Sequence, residues 1–338
     1  MEMSLTKELT LKNIKIRPLA AESLGVRSMA TFVKTPDVSI LIDASAALGF
    51  RYGLVPHPLE YKAVEKATKE IIRYAYYADI VTLSHLHWDH FKPFFEEYRY
   101  IWSSKEIAEA IYADKIILGK DYQENINFSQ RRRGYSFYKD ARKVAKKVEF
   151  ADGKSYVFGN TIIKFSTPVP HGEENTPLGY VLMCTIKYED ETFIHTSDVQ
   201  GPVSERTLNL ILKEKPDAIY VSGPPTYLEK YRIKEETLRK AKENLTKLAR
   251  NVRLIIVDHH LLRDLDWKVW LQSAVGEAKM NKHDIMCVSE YLNKEHRQLE
   301  ANRQMLYQQY PPSEEFKKWK NRPREERRKT KPPIDHWV

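Results

Sequence analysis

The chain has 338 residues, of which 42% are hydrophobic and 30% are charged, and it carries a net charge of +9. This composition excludes a disordered or fibrous chain, no stretch approaches the roughly 18 apolar residues that span a bilayer, and two cysteines are too few for a disulfide framework or a thiolate metal cage. We therefore expect a soluble cytoplasmic protein that has no membrane partner.

Residues 12–43 predict a β-meander, because short β-like runs alternate there with turns such as Thr35-Pro36-Asp37. A helix is predicted to open at His57-Pro58, since small and apolar residues recur at four-residue steps after it. Ile80-Val81-Thr82-Leu83 follows as a short buried strand. The first part of the chain thus predicts strands, one helix and a further strand.

Residues 103–150 look mainly helical and charged, and strand character returns at 155–166. Three strands are then predicted to alternate with three helices; the strands are 192–198, 218–223 and 253–260, and the helices are 203–214, 233–250 and 264–279. Strands followed by strand-helix alternation predict two sheets packed face to face with helices outside. From Pro311 onward we expect a helix and then an extended segment.

The positive charge is concentrated in two segments. Residues 316–331 hold nine Lys and Arg against two Glu, and residues 120–147 hold nine against three acidic residues. Such segments either bind nucleic acid or form the solvated faces of helices. Their aromatic residues leave the same alternatives open, because they either stack on unpaired bases or form the buried stripe of a helix: Tyr135, Phe137, Tyr138, Phe316 and Trp319.

The candidate chemistry is concentrated in His85-Leu86-His87-Trp88-Asp89-His90, directly after the strand IVTLS. Residues two apart at a strand end project to one side, so His85 and His87 can chelate one ion while Asp89 and His90 face a neighbouring point. Three imidazoles and a carboxylate suit Zn²⁺ or another borderline divalent ion. The alternative is a solvated His-rich loop, but chance rarely produces this density of ligands.

HLHWDH resembles the HxHxDH signature of the metallo-β-lactamase-fold hydrolases. This resemblance implies an α/β fold, a four-layer αββα sandwich, with further ligands at later strand ends in the order His, Asp, His. The sequence offers His171, then Asp198, then His259 or His260.

The resemblance also implies how these residues divide between two divalent ions, with zinc as the first choice and manganese or iron as alternatives. His85, His87 and His171 would hold one ion. Asp89, His90 and the last His would hold the other, and Asp198 would bridge the two. Asp43 would support the metal loop through hydrogen bonds.

Other runs resemble more specifically an archaeal branch of the superfamily, whose members are predicted metal-dependent hydrolases. These runs are SLGVRSMATFV, LIDASAALG, SHLHWDH and VDHHLLRD, and the similarity spans most of residues 14–270. His171 precedes a Gly-Tyr pair that enters a strand, as on the phosphodiesterase side of the family, which includes ribonuclease Z. Ser197 stands where many members have Gly before the bridging Asp.

Adjacent strand residues point to opposite faces, so we expect only one of His259 and His260 to enter the cleft. The spacing from His259 to Arg263 is similar to that of the ribonuclease Z-like motif, which favours His259. The remaining histidines are predicted to have structural or surface positions: His195 as structural, His57 at a helix entry, and His283, His296 and His336 on the surface.

These inferences predict a hydrolase that uses a hydroxide bridging two divalent ions, with Asp89 and Asp198 as catalytic residues and a phosphodiester or related ester as substrate. One alternative is a lactone or thioester hydrolase, and another is a nucleic-acid-binding factor with a structural metal site. The partner is thus a small phosphorylated or ester substrate, with RNA or DNA as the alternative. We expect a hydrolase domain over 1–310, with a helical insertion at about 103–150 that overhangs the cleft, and a basic extension over 311–338.

Overall fold

Two mixed β-sheets pack face to face at the centre of the protein. The structure is a computed structural model that describes residues 11–229 and 233–334. Six strands form the first sheet and lie in chain order across it: Lys15–Pro18 (β1), Thr31–Lys34 (β2), Ser39–Ile42 (β3), Ile80–Leu83 (β4), Ile116–Gly119 (β5) and Lys147–Phe150 (β6). The first three strands are antiparallel, and β3 to β6 are parallel.

Seven strands form the second sheet: Ser155–Phe158 (β7), Thr161–Phe165 (β8), Cys184–Tyr188 (β11), Glu191–His195 (β12), Ala218–Ser222 (β13), Leu254–Asp258 (β14) and Asp284–Met286 (β15). Val169–Pro170 (β9) and Tyr180–Val181 (β10) form a separate two-stranded ribbon. In the second sheet the strands are antiparallel from β7 to β12 and parallel from β12 to β15.

Helices connect the parallel strands and continue the chain after the second sheet. They are Pro58–Ala75 (α1), Lys105–Tyr112 (α2), Phe128–Val144 (α3), Glu205–Lys213 (α4), Glu235–Asn251 (α5), Trp267–Met280 (α6), Val288–Tyr291 (α7), Arg303–Gln309 (α8), Glu314–Lys320 (α9) and Arg324–Lys329 (α10). His57 caps α1, where its ring accepts the N–H of Leu59, and the Glu60 side chain accepts the N–H of His57. This confirms His57 as a helix-entry residue.

Side-chain alternation along the strands divides the core into three layers. In the first sheet Ile40 and Ile80 face Ile186 of the second sheet, whereas Leu41 and Val81 pack against α1 to α3. The far face of the second sheet packs in the same way against α4 to α6. Because both faces of the central strands are covered, those strands are almost continuously apolar. The predicted four-layer αββα sandwich is confirmed.

The prediction of a mainly helical segment over 103–150 needs a correction. The segment contains α2 and α3, but it also contains β5 and β6, which extend the first sheet. Each strand has only four residues, and charged residues flank both. The apolar run IILG is short, and KVEF alternates charged and apolar residues, so neither strand stands out in a charged sequence.

The basic segment near the C-terminus packs on the first helical layer. Phe316 and Trp319 of α9 are buried, with ring centroids 5.9 and 5.5 Å from that of Tyr61 in α1, while Lys317 and Lys318 are exposed. α9 is therefore an amphipathic helix, and its basic residues form the solvated face. The predicted boundary near residue 310 remains a prediction.

No helix in the described ranges combines the length and the apolar character that crossing a membrane requires.

Replacing Trp319 by Ala should lower the free energy of unfolding by about 3–5 kcal/mol, because it opens a cavity beneath α9. Urea denaturation measures the change, with Lys318→Ala as the matched surface control, which should shift stability by less than about 0.5 kcal/mol. Equal stability of the two variants would contradict the packing of α9 on α1.

Candidate metal centre

The candidate site lies at one edge of the sandwich, where strands of both sheets end. In open sheets of parallel strands, the carboxyl ends of the strands form the usual ligand-binding edge. The site residues follow four strands: Asp43 follows β3, the loop 84–90 follows β4, Asp198 follows β12 and His259 follows β14. His171 reaches the same place from the end of β9.

One group of ligand atoms comprises His85, His87, His171 and Asp198, and these atoms all lie within 4.8 Å of one another. His85 Nε2 is 3.0 Å from His87 Nδ1. Asp198 Oδ2 is 3.1 Å from His171 Nε2 and 3.9 Å from His85 Nε2. The spacing of the HxH pair therefore brings its two imidazoles together, and the long-range pairing of the sheets adds His171 and Asp198.

A second group comprises Asp89, His90 and His259, again within 4.8 Å. His259 Nε2 is 3.7 Å from Asp89 Oδ2 and 3.3 Å from Asp198 Oδ1. Asp198 thus directs Oδ2 toward the first group and Oδ1 toward His259. All seven residues predicted as ligands lie at one site, with the division between two groups that the resemblance implied.

His260 also reaches the site, contrary to the expectation that only one of the two adjacent histidines would. Its Nε2 is 3.3 Å from Asp198 Oδ1, and it forms a third group with Asp198 and His259. Strand alternation does not apply here, because β14 ends at Asp258 and His259 begins a 3₁₀ turn with a φ of 61°. The choice of His259 as the ligand stays a prediction.

Buried hydrogen bonds hold the loop 84–90 in place. Asp43 Oδ2 is 2.8 Å from His90 Nδ1, and the Asp43 carboxylate also accepts the backbone N–H and the hydroxyl of Ser84 at 2.8 and 2.6 Å. A carboxylate on the outer nitrogen of a histidine orients the ring and directs the other nitrogen to the site. This contact is the one predicted for Asp43.

Ser197 occupies the backbone conformation that favours glycine, with a φ of 55°. Its hydroxyl donates to Ser84 Oγ at 2.6 Å, which ties the end of β12 to the end of β4. A glycine would adopt this turn with less strain, but it would lose the hydrogen bond between the sheets.

Burial and mutual charge set the protonation of these groups. Burial lowers the pKa of His85 well below its usual value and that of His87 to about 3, so both are neutral at pH 7. Burial raises the pKa of Asp198, but the surrounding imidazoles outweigh this and hold the pKa well below the usual value. For His90, burial lowers the pKa, but Asp43 and the other carboxylates raise it well above normal. A cation at the site would therefore have to displace the His90 proton.

Several buried ligand atoms have no hydrogen-bond partner among the described residues: His90 Nε2, His171 Nε2, Asp198 Oδ1 and His260 Nε2. An unsatisfied buried polar atom costs roughly 1–3 kcal/mol, and these atoms converge on one space. Imidazole nitrogens and carboxylate oxygens are the donors that zinc and similar divalent ions prefer. The residues present therefore fit divalent metal ions.

Sequence reasoning missed the residues that brace the centre from outside. Gln130 of α3 accepts the N–H of Leu86 at 2.9 Å, donates to Leu178 O at 2.7 Å and lies 3.2 Å from His87 Nε2. Glu22 Oε1 lies 3.6 Å from His259 Nδ1. A single Gln or Glu in no recognisable motif carries no local signal for such a role.

The other histidines lie outside the centre. His195 is buried, and its Nε2 lies 2.9 Å from Met29 O, which confirms its structural position. His283 is half-buried beside Ala249 O, and His296 is exposed. His336 lies outside the described residues.

A cavity of about 590 Å³ opens onto the centre. His87, Asp89, Asp198 and His260 form part of its wall. Much of the remainder is apolar, from residues such as Leu178, Val203 and Leu238. The site is therefore a partly apolar chamber with the ligand groups on one side.

Asp43→Asn should weaken metal affinity roughly 10- to 100-fold, because the His90 ring loses the carboxylate that orients it. Chelator competition measures the affinity, and Asp190→Asn serves as the control because Asp190 is exposed on a distant turn. Wild-type affinity in Asp43→Asn would refute the supporting role of Asp43.

His259→Ala should lower the bound metal by about one ion per chain relative to the wild type, because His259 completes the group of Asp89 and His90, to which His260 does not belong. His260→Ala, the matched neighbour, should retain the metal content of the wild type. Elemental analysis after dialysis distinguishes the variants, and loss of an ion from His260→Ala alone would reverse the assignment.

Solved structures with similar folds include metallo-β-lactamase-fold proteins. The YhfI protein of Bacillus subtilis is 15% identical, with a TM-score of 0.45 over 82% of this chain and 96% of that chain. Tm1679, described as a metal-dependent hydrolase of the β-lactamase superfamily, is 10% identical, with a TM-score of 0.45 over 81% of this chain and 95% of that chain.

The sequence matches no family model, but it has archaeal relatives over most of its length. A UPF0282 protein of Methanopyrus kandleri is 44% identical over 294 residues, or 87% of this chain and 99% of the relative. A UPF0282 protein of Methanocaldococcus jannaschii is 44% identical over 297 residues, or 87% and 97% of the two chains. The predicted resemblance to an archaeal branch is confirmed. At this identity and coverage, the chain belongs to the UPF0282 family of archaeal proteins.

Proposed function

We propose that the protein is a metal-dependent hydrolase that holds two divalent ions and cleaves a phosphodiester or related ester bond in a small substrate. The position of Asp198 carries this proposal, because Oδ2 lies 3.1 Å from His171 Nε2 and Oδ1 lies 3.3 Å from His259 Nε2. A structural zinc site is closed by four ligands. Here two ligand groups share one carboxylate at the wall of a cavity, as suits a catalytic site.

When bound, two such ions would supply Lewis-acid activation of water and neutralise negative charge that develops on the substrate. His85, His87 and His171 would hold the first ion, and Zn²⁺ is the best match to this imidazole-rich set. The second ion would be held by Asp89, His90 and His259. Asp198 would contact both ions.

Asp89 has a second role in this proposal. Its side chain is 17% exposed and lines the cavity, whereas the side chains of His90 and His259 are fully buried. The Asp89 carboxylate can therefore reach a substrate and accept a proton during the reaction.

Cavity size and aromatic burial favour a small substrate over RNA or DNA. A volume of about 590 Å³ lies within the usual range for small-molecule sites. Four of the five candidate aromatic residues, Phe137, Tyr138, Phe316 and Trp319, are buried in the core and cannot stack on bases, whereas Tyr135 is exposed. The positive segments then serve chiefly as solvated helix faces.

The protein reconstituted with zinc, manganese or iron should carry close to two ions per chain and should hydrolyse bis-p-nitrophenyl phosphate. Asp198→Ala should lower kcat at least about 100-fold, because the ligand between the two ions is lost, while the fold is retained because the residue lies at a strand end. Metal analysis, circular dichroism and initial rates measure these effects, with Asp190→Asn as the control.

Fewer than one ion per chain after reconstitution would refute the two-metal proposal. Turnover of lactones or thioesters without turnover of the phosphodiester would instead support the alternative, a lactone or thioester hydrolase. Oligonucleotide binding that weakens with salt, with a log-log slope of about 0.7 per phosphate contacted, would support the nucleic-acid alternative.

A further inference from the structure

Three arginines line the cavity, and their ion pairing differs. Arg27 forms a two-pronged ion pair with Glu300, at 2.6 and 2.7 Å. Arg263 pairs with Glu22. Within the described part of the chain, no carboxylate forms an ion pair with Arg133. Arg133 is therefore the one of these three arginines that has no directly paired carboxylate among the described residues, although Asp89 acts on its charge from a greater distance.

Local contacts hold the Arg133 guanidinium in position. Its Cζ lies 4.7 Å from the centroid of the Trp88 ring, and Nη1 donates to Leu86 O at 3.3 Å. Arginine has five N–H donors, so most remain available to a ligand. Burial lowers the pKa of Arg133, and Asp89 partly opposes this, yet a guanidinium remains charged at neutral pH. A partly desolvated charge of this kind gains from an anionic partner.

The position of α3 places Arg133 beside the metal centre. His87 directs Nδ1 toward His85 and Nε2 toward Gln130, so Gln130 contacts the side of His87 that faces away from the other ligands. Arg133 follows Gln130 by about one helical turn. Arg133 therefore lines the same cavity as His87 and Asp89, beside the ligand groups and not among them.

We propose that Arg133 binds a second anionic group of the substrate, separate from the scissile ester. This inference rests on the hydrolase function proposed above and narrows its substrate class. The planar guanidinium matches an oxyanion such as a carboxylate or a phosphate. The apolar wall formed by Leu178, Val203 and Leu238 takes an apolar body. The substrate is therefore a small ester that has an apolar body and an additional oxyanionic group.

Paired substrates test the proposal. Phenyl p-nitrophenyl phosphate is compared with derivatives that carry a carboxylate or a phosphonate on the phenyl ring, using the metal-loaded full-length protein. The wild type should prefer at least one charged derivative by about tenfold or more in kcat/KM. Arg133→Met should abolish this preference and leave hydrolysis of the parent diester within about twofold. Arg133→Lys should retain part of the preference, because it keeps the charge but loses the planar fork.

Arg132→Met is the matched control, since it removes the same charge from an exposed neighbouring position and should retain the full preference. Equal loss of both activities in Arg133→Met would show that Arg133 binds the scissile group itself, which would overturn the proposal. The absence of any preference in the wild type would overturn it while the hydrolase function stands.

A binding measurement keeps the two proposals distinguishable if no substrate is cleaved. Diphenylphosphinate has no ester bond to cleave, and its carboxylated and phosphonated derivatives carry the same additional charges as the substrates. Calorimetry should show tighter binding of a charged derivative to the wild type and to Arg132→Met, but not to Arg133→Met. Equal affinities in all three proteins would overturn the role of Arg133, whatever the enzymatic result.

Discussion

The negative charge of Asp198 is the constraint on which the arrangement of the site depends. This carboxylate is buried. Five imidazoles lie within 3.9 Å of its oxygens, those of His85, His90, His171, His259 and His260. A buried charge is costly unless partners compensate it. The imidazoles leave part of this site unsatisfied, because His171 Nε2 and Asp198 Oδ1 have no hydrogen-bond partner among the described residues. The cluster is therefore best satisfied by cations, which explains why so many polar groups gather in a core-like environment.

This cluster exists only if the two sheets pack in one relative position, because each sheet contributes part of the site. The first sheet contributes the loop 84–90 and Asp43, and the second contributes Asp198 and His259. Hydrogen bonds cross between the sheets beside the site, from Ser197 to Ser84 Oγ at 2.6 Å and from Leu182 N–H to Ser84 O at 2.9 Å. Ile163, Phe193 and other apolar side chains fill the layer between the sheets. Apolar burial thus positions strands, and polar contacts at their ends align the ligands.

Outside the centre, the basic residues of α3 and α9 differ in whether they face solvent or the interior of the protein. The basic residues of α9 face solvent while Phe316 and Trp319 anchor the helix. In α3 the exposed Arg131 and Arg132 lie beside Arg133, which faces the cavity. A run of three arginines therefore occupies two different environments, because helical geometry turns successive residues by about 100°.

Much of the fold and the centre of the site could be predicted from the sequence alone. The spacing in HLHWDH brings His85 and His87 together through strand geometry, and helix α1 follows from local periodicity and its cap. The order of the later ligands was recognisable through the resemblance to a known family. Local spacing could not predict the entry of His260, because it depends on where β14 ends and on a 3₁₀ turn. Nor could it predict the contacts of Gln130 with Leu86 and His87, which join residues more than 40 positions apart. Such contacts form only when sheets and helices pack, so the tertiary structure alone decided which polar residues brace the centre and which member of the run Arg131-Arg132-Arg133 faces its cavity.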